Sequence, residues 1–264
     1  MTSLGKMTGL ALIVVVAAQM SASAAKPSHG PKPTAHHKAT PRPTVPAPKA
    51  LADQIHQLGS GFDGRVGIAV QSIDSEWETG WKDHALYPQQ SVSKLWVSIT
   101  ALDAVDRGRV SLDDKVTLTS ADLTLFHEPI IEDILKSGTY TTTLGDLMLR
   151  AITTSDNTAN DKLMRSVGGP PAVRAMIARK HLGAIRFANG ERDMQSRIAG
   201  LTWSQDYALN GQFSKARDTL PITVRSAAFN RYIADPYDGA APAAIVAALA
   251  KLKRGELLSP SSTA

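Results

Sequence analysis

A hydroxyl and an amine lie three residues apart in the stretch Ser91-Val-Ser-Lys94. Residues with this spacing share one face of a helix, so the amine of Lys94 can reach the hydroxyl of Ser91. A helix that begins at Ser91 would also present free backbone N–H groups and a positive dipole end to a developing anion. These are the requirements of an activated serine nucleophile. The spacing is weak by itself, since Ser3 and Lys6 repeat it near the N-terminus.

Ser155-Asp156-Asn157 is a second polar cluster, at a break between two helical patterns. The hydroxyl of Ser155 can relay a proton, and the carboxamide of Asn157 can bind a substrate carbonyl. Asp156 also fits the N-cap of the next helix, which is the purely structural interpretation of the tripeptide.

Glu191 and Gln195 make up the third candidate element, with a carboxylate and a carboxamide four residues apart. Such a pair can hold one water between them. A carboxylate beside a bound ester can act as the general base for that water. Taken alone, Glu191 also fits a solvated surface acid.

The elements that position these residues follow from hydrophobic periodicity. Two strands are predicted at 65–72 and 77–81, after a short amphipathic helix that begins near Leu51. A helix is expected from Lys94 to Gly108, and the other helical patterns cover about 144–153, 157–167, 171–181 and 242–254. Early strands followed by several helices indicate an α+β fold.

The first fifty residues differ in composition from the rest of the chain. Lys6, an apolar run and the small residues Ala22-Ser23-Ala24 predict a secretory signal peptide over residues 1–24. Residues 25–50 contain seven of the fifteen prolines and are predicted to be an extended linker. We therefore expect a periplasmic or secreted protein, with a folded domain over 51–264 and no stable membrane span after cleavage.

Charge and cysteine content exclude several classes of protein. Residues 51–264 carry 23 Lys and Arg against 24 Asp and Glu, and this balance argues against nucleic-acid binding. The chain contains no cysteine, which excludes disulfides, thiolate metal sites and a cysteine nucleophile. No His-x-His-x-Asp cluster is present to bind zinc. No metal or cofactor is expected.

Taken together and in this order, the three motifs resemble those of the class A serine β-lactamases and their penicillin-recognising relatives. The resemblance covers about residues 51–264 and is most specific in Ala151-Ile-Thr-Thr-Ser-Asp-Asn-Thr-Ala-Asn160. It is also carried by Tyr87-Pro-Gln-Gln-Ser-Val-Ser-Lys-Leu95 and by Val105-Asp-Arg-Gly-Arg-Val-Ser-Leu112. The fold implied is β-lactamase/transpeptidase-like, with a helical subdomain and an antiparallel sheet.

The resemblance implies acyl transfer to a small-molecule β-lactam, and a role in antibiotic resistance. Ser91 would attack the lactam carbonyl and form a covalent acyl-enzyme, with its own backbone N–H as one oxyanion donor. Either Lys94, or Glu191 through a water, would take the proton; the two assignments stay open. Ser155 would pass a proton to the departing nitrogen.

The resemblance also implies the groups that bind the substrate and release the product. Asn157 would position the acylamide side chain, and Glu191 with Gln195 would activate the water that hydrolyses the acyl-enzyme. His127 falls where the family often has an aromatic residue at the cleft entrance, although it also fits an exposed loop histidine.

Two features depart from the family pattern. The segment of about 196–240 is longer than the corresponding family loop and is predicted to be a long loop insertion. The family's third motif, Lys-Thr-Gly or Lys-Ser-Gly, is expected on a strand beyond the helix that ends at Gly255, and no such motif follows that helix in the sequence. Lys136-Ser-Gly-Thr139 precedes Ser155 and is interpreted as a turn. We therefore expect that the C-terminal sheet strands are missing and that residues 1–264 alone do not hydrolyse β-lactams.

Two other functions share most of these residues. A D,D-peptidase-like cell-wall enzyme would use Ser91, Lys94, Ser155 and Asn157 on a peptidoglycan peptide and would not need Glu191. A non-catalytic envelope protein would bind penicillin or peptidoglycan without turnover. A monomer is expected in each case.

Overall fold

The computed structural model describes Ile13–Val16 and residues 45–264. It divides into two compact units, Met1–Asp83 and His84–Ala264. The rest of the predicted signal peptide and of the linker up to residue 44 lie outside the described residues. No helix within the described ranges is both long and apolar enough to cross a membrane.

The first unit is built around a three-stranded sheet. Its elements are β1 Ile13–Val16, α1 Lys49–Gly61, β2 Gly67–Gln71 and β3 Glu78–Trp81. β2 pairs with β3 in antiparallel register, as the alternating patterns predict, and β1 adds a parallel strand that the sequence did not indicate. Its hydrophobic core contains Ile55 of α1 and the β2-side residues Val66, Ile68 and Val70.

Gly59 lies inside α1, which continues to Gly61. Gly59 is required for close packing rather than for helix termination, because a Cβ there would lie 2.2 Å from the Trp81 ring. Because Gly59 has no side chain, β3 can lie close to the backbone of α1 at this position.

The second unit is mostly helical and contains all the candidate site residues. Its helices are α2 Lys94–Asp106, α3 Ile131–Ser137, α4 Leu144–Thr153, α5 Asn157–Ser166, α6 Gly169–Arg179, α7 Glu191–Ile198, α8 Gln212–Thr219, α9 Ile222–Ala234, α10 Pro242–Lys253 and α11 Pro260–Thr263. Its strands are β4 Lys115–Thr119 and β5 Thr139–Thr143, paired antiparallel from Lys115↔Thr143 to Thr119↔Thr139. The helices predicted at 144–153, 157–167, 171–181 and 242–254 are present within about two residues.

α2 is the central helix of this unit, and it packs against α4, α5 and α6. Trp96, Val97 and Ile99 are almost fully buried, and so is Lys94 at its first position. A helix with apolar residues around most of its circumference lies inside a fold. α2 therefore carries a lysine into the interior.

The stretch Lys136-Ser-Gly-Thr139 contains the predicted turn, but a strand follows it. Gly138 ends α3 in the left-handed region at φ 79°, a conformation that glycine adopts without a Cβ penalty. Thr139 then begins β5, so a strand separates this turn from α4. The run of threonines has high β propensity but no apolar alternation, and this is why the sequence did not predict it.

The segment of about 196–240 differs from a long loop. It contains α8, α9 and a single 3₁₀ turn at Gln205–Ala208. α9 buries only Ala228 and Tyr232, so it lacks the apolar stripe from which a packed helix is predicted.

Candidate active site

Lys94 lies at the centre of the candidate site. Its Nζ is 2.9 Å from Ser91 Oγ, 3.2 Å from Ser155 Oγ and 2.7 Å from Asn157 Oδ1. Glu191 Oε1 is 3.2 Å away, in an ion pair whose two side chains are only 1% and 3% exposed. An ammonium has three N–H donors, so four oxygens compete for them. One buried amine thus contacts all three sequence motifs.

Ser91 lies in the 3₁₀ turn Gln90–Ser93 that leads into α2. This residue is exposed, whereas Lys94 one turn later is buried. Ser91 Oγ accepts hydrogen bonds from Lys94 and from Ser155 Oγ, the latter at 2.9 Å. The Ser91 hydroxyl therefore lies at the surface, where its oxygen accepts two hydrogen bonds from the protein and is accessible to a molecule in solvent.

Ser155 and Asn157 are positioned by the connection between α4 and α5. Ser155 has a left-handed backbone at φ 57°, which is uncommon for a residue with a side chain. Asp156 caps α5 by accepting from Ala159 N at 2.8 Å, and its other oxygen accepts from Ile130 N at 2.8 Å. Strain of this kind is typical of sites where geometry serves function. The capping interpretation of Asp156 is thus correct, and the cap fixes its two neighbours.

Asn157 is clamped by the loop before α3. Its Nδ2 donates to Leu125 O at 2.8 Å, and its backbone N donates to His127 O at 2.9 Å. The exposed ring of His127 lies 2.7 Å from Thr154 O through Nε2. His127 is therefore next to the candidate site, with its ring nitrogen already engaged by the chain.

Glu191 begins α7 and is held through its backbone. Its N–H donates to Asp161 Oδ1 at 2.9 Å. Gly190 precedes it at φ 96°, and a Cβ there would lie 2.8 Å from the same carboxylate oxygen, so only glycine fits. One turn later on α7, Gln195 Nε2 donates to Glu191 Oε2 at 3.2 Å. The carboxylate and the carboxamide that the sequence paired do lie side by side.

Asp161 is a second buried carboxylate in this region. Burial and the nearby charge of Glu191 together raise the pKa of Asp161 to about 6, against the lowering effect of its hydrogen bond from Glu191 N. Its side chain is 1% exposed. Asp161 was not predicted from the sequence, where its signal is a carboxylate one helical turn after Asn157, on the same face of α5.

The structure brings together Ser91, Lys94, Ser155, Asn157, Glu191 and Gln195. His127 is adjacent but turned onto the backbone of residue 154. Gln90, which the sequence analysis did not single out, accepts from Gln195 Nε2 at 3.0 Å through its Oε1. The catalytic and binding roles of all these residues stay predictions.

Comparisons with known proteins identify the family and the fold. The family model described as the beta-lactamase enzyme family matches residues 50–264. Beta-lactamase SME-1 of Serratia marcescens is 30% identical over 152 residues, 57% of this chain. The solved class A β-lactamase of the last common ancestor of Gram-negative bacteria is 28% identical over 81% of this chain, with a TM-score of 0.59. A β-lactamase from Chitinophaga pinensis shares the fold, at 22% identity over 80% of this chain and a TM-score of 0.62.

These relatives are longer than the matched part of this chain. The chain spans 50% of the length of the Serratia enzyme. It spans 67% of the ancestral enzyme and 65% of the Chitinophaga enzyme. On the extent of the family match, with the α+β fold and the Lys94-centred cluster, the chain belongs to the beta-lactamase enzyme family.

Proposed function

We propose that this protein is a serine hydrolase of the class A β-lactamase type, which opens the β-lactam ring through a covalent acyl-enzyme on Ser91. The observation that carries the proposal is the buried ammonium of Lys94, within 3.2 Å of Ser91 Oγ, Ser155 Oγ, Asn157 Oδ1 and Glu191 Oε1. The three motifs are far apart in the sequence, and their spacing alone did not require them to meet at one amine. This geometry supports the assignment of a nucleophile to the exposed hydroxyl, and of a proton relay and a base to the side chains around it.

In the acylation step, Ser91 Oγ attacks the lactam carbonyl carbon and the carbonyl oxygen becomes an oxyanion. The proton of Ser91 passes to Lys94 Nζ once that amine has given its own proton to Glu191, or passes to Glu191 through a water. Lys94 and Glu191 are in contact, so both routes end with the proton on the same pair. The C–N bond of the lactam then breaks, and Ser155 protonates the departing nitrogen. Ser155 regains a proton from Lys94 Nζ, which in turn takes back the proton held by Glu191, so that Glu191 is again a carboxylate.

In the deacylation step, Glu191 takes a proton from a water held between its carboxylate and Gln195. The water attacks the ester carbonyl, and the bond to Ser91 Oγ breaks as that oxygen regains a proton. Glu191 is buried and Gln195 is half-buried, and electrostatic interactions are stronger away from bulk solvent.

Glu191 favours this proposal over the two alternatives. A D,D-peptidase-like enzyme or a non-catalytic penicillin-binding protein has no need of a buried carboxylate beside the nucleophile. Burying a charged group is costly unless it is paired. A carboxylate retained at 3% exposure, paired with Lys94 and supported by Gln195, fits a general base.

We further propose that the protein acts outside the cytoplasm and confers resistance to β-lactams. The predicted signal peptide of residues 1–24 supports export. Expression of the complete reading frame of the gene, whose product is here called the full-length protein, should raise the inhibitory concentration of a penicillin in a susceptible bacterium. Deletion of residues 1–24 should abolish that protection.

Hydrolysis of a chromogenic cephalosporin by the full-length protein tests the proposed reaction. Ser91→Ala should lower turnover at least about a thousandfold, because loss of a nucleophile removes the covalent route. Ser98→Ala is the matched control, since Ser98 lies on α2, which follows the turn of Ser91, and its buried hydroxyl has no hydrogen-bond partner among the described residues. Equal turnover by the two variants would remove Ser91 from the role.

A further inference from the structure

A continuous chain of hydrogen bonds leads from the Glu191–Gln195 pair to helix α9. Gln195 Nε2 donates to Glu191 Oε2 and to Gln90 Oε1. Gln90 Nε2 donates to the Tyr232 hydroxyl at 2.5 Å. Tyr232 donates in turn to Asp238 Oδ2 at 3.2 Å.

The groups at the Asp238 end of these hydrogen bonds determine which atom donates and which accepts at each step. Asp238 Oδ2 accepts from the backbone N of Gln90 at 2.8 Å as well as from Tyr232, so it is the acceptor end. Burial and the charge of Asp238 raise the pKa of Tyr232, which therefore keeps its proton and donates. The tyrosine oxygen can then only accept from Gln90, and this directs the amide nitrogen of Gln90 toward Tyr232 and its oxygen toward Gln195.

We infer that Tyr232, acting through Gln90, is a positioning residue for deacylation, because it holds the carboxamide of Gln195 with its nitrogen toward Glu191. This inference rests on the proposed function. Tyr232 is buried on α9, in the segment of about 196–240 that the sequence presented as a loop. The segment thus contributes a side chain that acts on the water-activating pair.

The contact from Gln90 matters at the moment when Glu191 is protonated. A carboxylate accepts hydrogen bonds only, and this alone would orient the Gln195 nitrogen toward it. A protonated Glu191 can also donate, and the carboxamide could then rotate to offer its oxygen instead. Gln90 Oε1 accepts an N–H from Gln195 in either state of Glu191. When Glu191 has lost the proton again, the carboxamide oxygen of Gln195 is therefore still free to accept from the incoming water.

A purely structural role predicts a different defect. Gln90 has a left-handed backbone at φ 49°, a strained conformation for a residue with a Cβ, and it immediately precedes Ser91. If Tyr232 served only to hold that backbone, its removal would misplace the nucleophile and slow acylation. Asp238 holds the backbone N of Gln90 independently, so loss of the tyrosine hydroxyl should leave Ser91 in place.

The test compares Tyr232→Phe with wild type in the full-length protein. The rate of acylation by benzylpenicillin and the decay of the acyl-enzyme are measured separately, by rapid quenching and intact mass. We expect acylation to be unchanged and decay to be about three- to tenfold slower, the effect of one neutral hydrogen bond. In steady state, where deacylation limits turnover, kcat and KM should fall together and kcat/KM should hold.

Tyr237→Phe is the matched control. The ring of Tyr237 packs on Tyr232 at 5.3 Å between centroids, while its hydroxyl takes no part in the hydrogen bonds that link Gln195 to Asp238. Gln90→Met removes the same link at similar length, so Tyr232→Phe combined with Gln90→Met should slow decay no more than Gln90→Met alone. Decay in Tyr232→Phe equal to that of wild type, or acylation and decay slowed together, would overturn the inference. A wild-type protein that forms no acyl-enzyme would instead overturn the proposed function.

Discussion

Burial of the Lys94 ammonium costs free energy, and contacts with the candidate site residues offset that cost. A lysine ammonium is rarely buried unless its charge is paired and its donors are bound. Lys94 is 1% exposed, and each contact that compensates this cost comes from a candidate catalytic or binding residue. Loss of any one partner should therefore affect stability as well as activity.

Asp161 yields a prediction of pH-dependent stability. Burial and the charge of Glu191 raise its pKa to about 6, from 3.8 in the unfolded chain. The stability that protonated Asp161 contributes is fully present below about pH 4 and is lost as the pH rises through 6. Asp161→Asn cannot ionise and can still accept from Glu191 N. At pH 7 this variant should be more stable than wild type by roughly 2–3 kcal/mol, in urea unfolding.

The pH profile separates this explanation from simple repacking. The stability difference between Asp161→Asn and wild type should shrink to near zero at about pH 4, since both side chains are then neutral. A difference that stayed constant from pH 4 to 8 would show that ionisation of Asp161 is not its cause.

The sequence predicted the residues whose chemistry is self-evident. Ser91, Lys94, Ser155 and Asn157 lie in short motifs, and Glu191 with Gln195 has a spacing that suits a shared water. Asp161 and Gln90 could not be assigned in this way, because their importance depends on the contacts they make. Gln90 is bonded to Gln195, 105 residues away in the chain.

At the scale of elements, the connection between α4 and α5 carries much of the site. The two helices have ten residues each and differ in how they are capped. Thr143 caps α4 through one hydrogen bond, from Asp146 N at 3.2 Å. Asp156 is fully buried and accepts from Ala159 N and Ile130 N, so it joins α5 to the loop before α3.

Asp156→Ala should therefore cost about 2–4 kcal/mol of stability, because two buried N–H groups would lose their acceptor. Thr143→Ala should cost about 1 kcal/mol, as is typical of a lost N-cap. Chemical denaturation of the two variants provides the comparison, with Asp156→Asn as a control that retains a side-chain acceptor. Equal costs for Asp156→Ala and Thr143→Ala would contradict the bridging role of Asp156.

Elements with regular apolar spacing were predictable, and those without it were not. α4 matches its prediction at both ends, and its buried residues Leu144, Leu147 and Ala151 have helical spacing. β5 pairs with β4 through threonines, including Thr117 with Thr141 at 2.9 Å, and its own sequence has no apolar alternation. β4 is the exception, because Val116 and Leu118 alternate with polar residues and this five-residue signal was missed. α9 was not predicted from the sequence, because only Ala228 and Tyr232 are buried and two residues do not make an apolar stripe.

At the scale of the whole molecule, all candidate site residues belong to the unit His84–Ala264. The cluster draws on α2, α5, α7 and the connection before α5, and α9 is linked to it through Tyr232. The near balance of 23 basic and 24 acidic side chains over 51–264 leaves no excess charge to steer polyanions. This charge balance is compatible with the proposed small-molecule substrate.

Intact-mass analysis of Glu191→Gln in the full-length protein tests the central claim most directly. After mixing with benzylpenicillin, wild type should show at most a transient adduct of the full penicillin mass. Glu191→Gln should still acylate but should retain the adduct, since the base for deacylation is gone. Proteolysis should locate the adduct on the peptide that contains Ser91, and the exposed-residue control Glu132→Gln should behave as wild type. No adduct, an adduct on another peptide, or decay as fast as in wild type would contradict the account.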